Sequence, residues 1–145
     1  MLRIRGTATK LPSSMEWEVT CGAVNFEMVA GDRRKAVGML LTRLCEALGS
    51  EPEVMWHDEE CFELIFDDDR PIIAYMLRAA RERAGLSLYK MCALLGTQSK
   101  TTVAQYETGK HSPGIAKLCE LFGVLGYDVV VDVVPHQRST QENSE

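Results

Sequence analysis

Residues 96–109 read GTQSKTTVAQYETG. A glycine punctuates the chain, polar residues follow, and then Val103 and Tyr106 recur at a three-residue step. That spacing predicts a short helix with one face held against a support and the other facing outward. Ser99 is placed to cap it, and the helix runs to about Thr108. Lys100, Thr101 and Gln105 fall on the outward face.

Upstream, Ser87 caps a second short helix through Leu95, which Gly96 stops. Leu94, with the small Cys92 and Ala93, is expected to support Val103 and Tyr106. Two short helices around a glycine turn make a helix-turn-helix. Such a unit sets the first residues of its second helix at base edges in the major groove. Lysine donates to guanine, glutamine pairs with adenine, and threonine serves either or touches a thymine methyl.

Charge distribution agrees. The chain of 145 residues carries a net charge of −5. Residues 1–70 hold 8 basic and 14 acidic residues, residues 71–113 hold 6 and 2, and residues 114–145 hold 2 and 5. The basic excess therefore coincides with the helix-turn-helix, and both flanks are acidic.

Further outward, Ile73, Leu77, Ala80 and Ala84 form a helical stripe ended by Gly85. A helix from Gly114 to Leu125 directs Ile115, Leu118, Phe122 and Leu125 inward, and Gly126 ends it. Residues 127–134, YDVVVDVV, read as a strand with Tyr127, Val129, Val131 and Val133 on one face. It is expected to pair with its counterpart in a second subunit or with the N-terminal sheet, residues 61–66 being the internal alternative. Residues 135–145 read as a polar, disordered tail.

The first 66 residues predict a smaller α+β unit. Leu2 to Arg5, Trp17 to Val19 and Val24 to Met28 alternate as strands. Asp32 caps a helix bearing Val37, Leu40, Leu41, Leu44 and Leu48, which Gly49 ends. CFELIF at 61–66 is another strand, giving three or four in all. Residues 67–71 read as a charged linker closed by Pro71. The fold class is thus α+β: a strand-strand-helix-strand unit (1–66), then an all-helical domain (72–126) with a C-terminal β-strand (127–134).

The motifs resemble the lambda-repressor-like, Xre-type helix-turn-helix family over residues ~72–134. RERAGLS at 81–87, CALLG at 92–96 and SKTTVAQYETGKHSP at 99–113 carry the resemblance, including its Glu107, Gly109 and Pro113 ending. It implies that Arg81 pairs structurally with Glu107. It also implies that Lys100, Thr101 and Gln105 read bases, and that Ser87, Thr102, Thr108, Lys110 and His111 contact phosphates. Two departures stand out. Thr97 and Gln98 both intervene between glycine and cap where relatives have one residue, which brings Gln98 within reach of bases. Leu88 stands where relatives often carry a phosphate-binding glutamine, leaving Ser87 or the Tyr89 hydroxyl to substitute. The element order also resembles, faintly, HicB-type antitoxins.

Other chemistry is sparse. Cys21, Cys45, Cys61, Cys92 and Cys119 form no CxxC pair, which points to buried thiols in a reducing cytoplasm. His57 to Cys61 contains metal-ligand residue types at a spacing that fits a solvated loop better than a closed site. There is no nucleophile–base pair or phosphate loop, and no apolar run near the ~20 residues of a membrane span. The first ten residues, MLRIRGTATK, have no apolar core of the kind a secretory signal needs and are expected not to be one. The expectation is a non-enzymatic, cofactor-free regulator: a dimeric repressor on a palindromic operator, or an antitoxin whose acidic unit meets a basic toxin. In the repressor reading, residues 1–66 sense a small ligand or add to the dimer.

Overall fold

The structure, a computed structural model, describes residues 1–96 and 100–135. Its first part runs β1 (Leu2–Lys10), β2 (Trp17–Cys21), β3 (Phe26–Ala30), α1 (Arg33–Leu48), β4 (Glu53–Trp56) and β5 (Cys61–Phe66). Four helices follow: α2 (Asp69–Arg83), α3 (Leu88–Leu95), α4 (Lys100–Glu107) and α5 (Ile115–Val124). The architecture is mixed α+β, strands first and the helical region after them.

The strands form one antiparallel sheet in the order β3-β2-β1-β5-β4. Period-two alternation sets its faces. Ile4, Gly6 and Ala8 are buried, whereas Arg3, Arg5, Thr7 and Thr9 are exposed. Gly6 is dictated by packing, because a Cβ there would overlap the fully buried Phe62 ring. Ala36, Val37, Leu40 and Leu44 are the buried residues of α1. The helix starts on Asp32, whose carboxylate accepts from the Arg34 amide at 2.9 Å, and ends on left-handed Gly49. Buried side chains from Ile4 to Leu125 belong to one hydrophobic cluster.

The sheet has five strands, where the sequence suggested three or four. β4 is short and flanked by Pro52 and His57, too brief to announce itself by alternation. It exists through β5: Glu53 pairs with Ile65, and Trp56 with Phe62, their rings 5.1 Å apart. Val24, expected in a strand, instead ends a 3-10 turn (Gly22–Val24). Asn25 follows at φ 53°, a left-handed position that asparagine tolerates better than most residues, and β3 begins after it. The Arg33 guanidinium lies 5.4 Å from the Trp17 ring and 4.6 Å from Trp56. It also donates to the carbonyls of Asp58 and Glu59, tying the β4–β5 loop to the start of α1.

Asp69, Arg70 and Pro71, read from sequence as linker, are the first turn of α2. Asp68 caps the helix through the Arg70 amide, and Pro71 sits where no intrahelical amide bond is needed. Ile72, Ile73, Ala74, Met76, Leu77 and Ala80 are buried. Ala84, expected on the same stripe, is the exposed C-cap. In α5 the fully buried residue is Leu121, while Ile115, expected inward, is 64% exposed. A first-turn residue meets the core only if the neighbouring helix reaches that far.

Residues 127–134 form no strand in the single chain. β5, the expected internal partner, is flanked on both sides by β1 and β4, so it has no edge to offer. A strand without a hydrogen-bonded neighbour is not a stable element. Residues 136–145 of the expected tail lie outside the described residues.

Candidate nucleic-acid interface

Local chemistry sets α3. The Ser87 hydroxyl accepts from the Lys90 amide at 3.1 Å, and Gly96 ends the helix at φ 68°. Thr97, Gln98 and Ser99 lie outside the described residues, so the expected Ser99 cap and the Gln98 base contact do too. Helix α4 begins at Lys100. Val103 is buried beneath it and Tyr106 is half-buried. Met91 and Cys92 are the buried residues of α3. Leu94, expected to join this support, is 59% exposed, and Ala93 is exposed as well. In an eight-residue helix only one narrow stripe can face the bundle, and Met91 and Cys92 occupy it.

Lys100 and Thr101 are exposed and Gln105 is half-buried. The Lys100 ammonium lies 4.8 Å from the centre of the Tyr89 ring, a cation–π contact joining the start of α3 to the start of α4. From sequence, only the Tyr89 hydroxyl stands out. The ring contact depends on how the two helices cross, which spacing along the chain does not reveal.

The expected phosphate contacts divide into two groups. Ser87 is exposed but spends its hydroxyl on the α3 cap, and the Thr108 hydroxyl donates to the Gln105 carbonyl at 3.2 Å. Thr102 is half-buried. Lys110 and His111 are exposed, and their amides bond back to the Gln105 carbonyl at 3.0 and 3.4 Å. Their placement follows from Gly109, at φ 75°, whose Cα side approaches the first turns of α2: a Cβ there would be 3.7 Å from the Arg70 carbonyl oxygen. Pro113, four residues on, is buried.

Arg81 and Glu107 hold the two ends of the unit together. Arg81 Nε donates to Glu107 Oε1 at 2.5 Å, with side chains 15% and 7% exposed. Arg81 Nη1 donates to the Leu86 carbonyl at 2.8 Å. One guanidinium thus fixes the end of α4 to α2 and sets the entry into α3. It also neutralises the carboxylate nearest to Lys110 and His111 in sequence.

Elsewhere His57, Glu63 and Asp68, residues of metal-ligand type, have structural partners. His57 Nε2 lies 2.7 Å from Glu63 Oε1, and Arg3 lies 3.7 Å from the other Glu63 oxygen. Asp68 is a helix cap, and its bonds to Arg70 hold its carboxyl below the usual carboxylate range. Among the described residues no three His, Cys, Asp or Glu side chains come together to hold a metal ion. No described helix is long and apolar enough to cross a membrane.

Comparison with curated proteins finds no match. Residues 77–131 match the family model described as Helix-turn-helix. The match runs from α2 through α5 and into the segment beyond it. With α3 and α4 meeting around Gly96, and Arg81 bonded to Glu107, this segment is a lambda-repressor-like, Xre-type helix-turn-helix, the domain of a family of DNA-binding regulators.

Proposed function

We propose that the protein is a sequence-specific transcriptional repressor that binds a palindromic operator as a dimer and acts in the cytoplasm without a cofactor. The observation that carries this reading is the face of α4. Lys100, Thr101 and Gln105 lie away from the buried Val103, and the fixed loop beside them presents Lys110 and His111. Lys100, Thr101 and Gln105 read bases; Lys110 and His111 contact phosphates; Ser87, Thr102 and Thr108 lie along the same backbone path. Two copies related by a two-fold axis set their α4 helices ~34 Å apart, for successive major grooves. Residues 72–126 serve DNA. Residues 1–66 serve the dimer or a small ligand.

Mobility shift of the upstream DNA of the gene, titrated with salt, tests the reading. Specific binding with a steep salt dependence supports it. Equal affinity for upstream and unrelated DNA at every salt concentration removes it.

A second reading, the antitoxin of a toxin–antitoxin pair, is supported by the exposed Asp58, Glu59 and Glu60 at the tip of the β4–β5 hairpin and by the acidic excess of residues 1–70. Such a surface suits a small basic partner. This reading requires a short, basic open reading frame abutting the gene, and it fails without one.

A further inference from the structure

β1 is paired along its full length on neither side. Toward β5 it is paired from Leu2 to Thr7, but toward β2 only from Thr7 to Lys10. β2 stops at Cys21, where the chain enters the 3-10 turn, so residues 2–6 have an open edge on that side. Two bonds fix which backbone groups face it. The Ala8 amide donates to the Glu60 carbonyl, so the even-numbered residues of β1 point toward β5. The Arg5 carbonyl accepts from Cys21 Sγ at 3.8 Å, so the odd-numbered residues point the other way. Among the described residues, the amides of Arg3 and Arg5 meet no backbone acceptor on that open side. An open edge of this kind is a template for another strand.

A groove of about 480 Å³ lies along this edge. Ile73 and Met76 of α2 and Leu118 and Phe122 of α5 line it, together with residues 127–130. The C-terminal segment therefore starts beside the open edge without bonding to it. Beyond, Val130 is 90%, Val131 57% and Val133 91% exposed. One molecule thus carries an unfilled strand position and, next to it, a β-branched segment with no strand partner among the described residues.

We propose that the groove takes residues 129–134 of a second copy as an added strand bonded to Arg3 and Arg5, so that two copies share one sheet through exchanged C-terminal segments. The side-chain patterns agree. On β1, Ile4 faces the core and Arg3 and Arg5 face out. On the segment, Val129, Val131 and Val133 alternate with Val130 and Asp132. The valines pack beside Ile4 while Asp132 lies beside the two arginines, opposite charges on neighbouring strands. The host's own segment, which lines the groove, lies next to the guest, so the two segments pair across the two-fold axis. This proposal rests on the dimer in the proposed function and names its contact surface.

Amide exchange at Arg3 and Arg5, measured by NMR alongside sedimentation, tests it in the full chain and in Val131→Pro. Val131 is exposed in the single chain, so proline spares the core while removing a strand amide. The expected result is slow exchange at both arginines in a dimer. Val131→Pro is expected to sediment as a monomer, with that protection lost and the helical part of its circular dichroism retained. A dimer with fast exchange at Arg3 and Arg5 overturns the strand exchange and leaves the dimeric repressor standing. Slow exchange in a monomer means that the chain's own segment fills the groove and overturns the exchange between copies. A monomer with fast exchange that still binds its operator defeats both the exchange and the dimer, but not DNA binding.

Discussion

Arg81, near the end of α2, and Glu107, the last residue of α4, are 26 positions apart and bonded at 2.5 Å in a largely buried setting. The pair sets the position of the recognition helix relative to its scaffold. Arg81→Met leaves a buried carboxylate without its partner and the Leu86 carbonyl without a donor. The expected cost is about 2–4 kcal/mol, the lower part of the range for such deletions being included because Arg81 keeps some exposure. Urea unfolding checks this. The double variant Arg81→Met with Glu107→Met is expected to recover part of the loss, because neither charge is then stranded.

Gly6 is a steric requirement. Gly6→Ala places a methyl group into the Phe62 ring, which is fully buried and paired in register with Gly6. Overpacking of this kind costs about 1–3 kcal/mol, and more where backbone has to move. Gly22→Ala, with open space around its Cβ position, serves as the control and is expected to change the melting temperature little.

DNA contacts of two kinds are separable. Gln105→Ala is expected to relax base preference at one operator position by ~1–3 kcal/mol. Lys110→Ala is expected to weaken all sequences alike and to reduce the salt slope by about 1. Mobility shift across operator variants and salt concentrations distinguishes them. A Gln105→Ala protein with unchanged preference would place base reading elsewhere on α4.

Burial pushes the Cys21 thiol up to about 11, partly offset by its hydrogen bond with the Val24 backbone. The folded protein thus holds this proton more tightly than the unfolded chain, whose cysteines titrate near ~8.5. The associated stability is present below that value and is lost as pH rises from there toward 11. Unfolding measured between pH 8 and 11 is expected to show this loss, and Cys21→Ala to lessen it. Alkylation of the native protein at neutral pH is expected to label exposed Cys119 and to spare Cys21.

Much of the fold is written in short stretches of sequence. Asp32, Ser87, Gly49 and Gly96 mark helix ends because caps and left-handed turns act within a few residues. Alternation at residues 61–66 and the three-residue step from Val103 to Tyr106 are legible for the same reason. The turn that begins with Gly96 and the Glu107, Gly109, Pro113 ending mark the helix-turn-helix in a chain with net negative charge. Tertiary structure decided what depends on distant partners. β4 exists because β5 offers an edge; Leu121 rather than Ile115 is buried because of where the neighbouring helices lie. Lys100 meets Tyr89 through a helix crossing, and Gly6 is glycine because Phe62 crosses above it. Residues 127–134 have the composition of a strand, but a strand is a relation between two segments, and the folded chain already uses both edges of β5, the internal alternative to a partner in a second subunit.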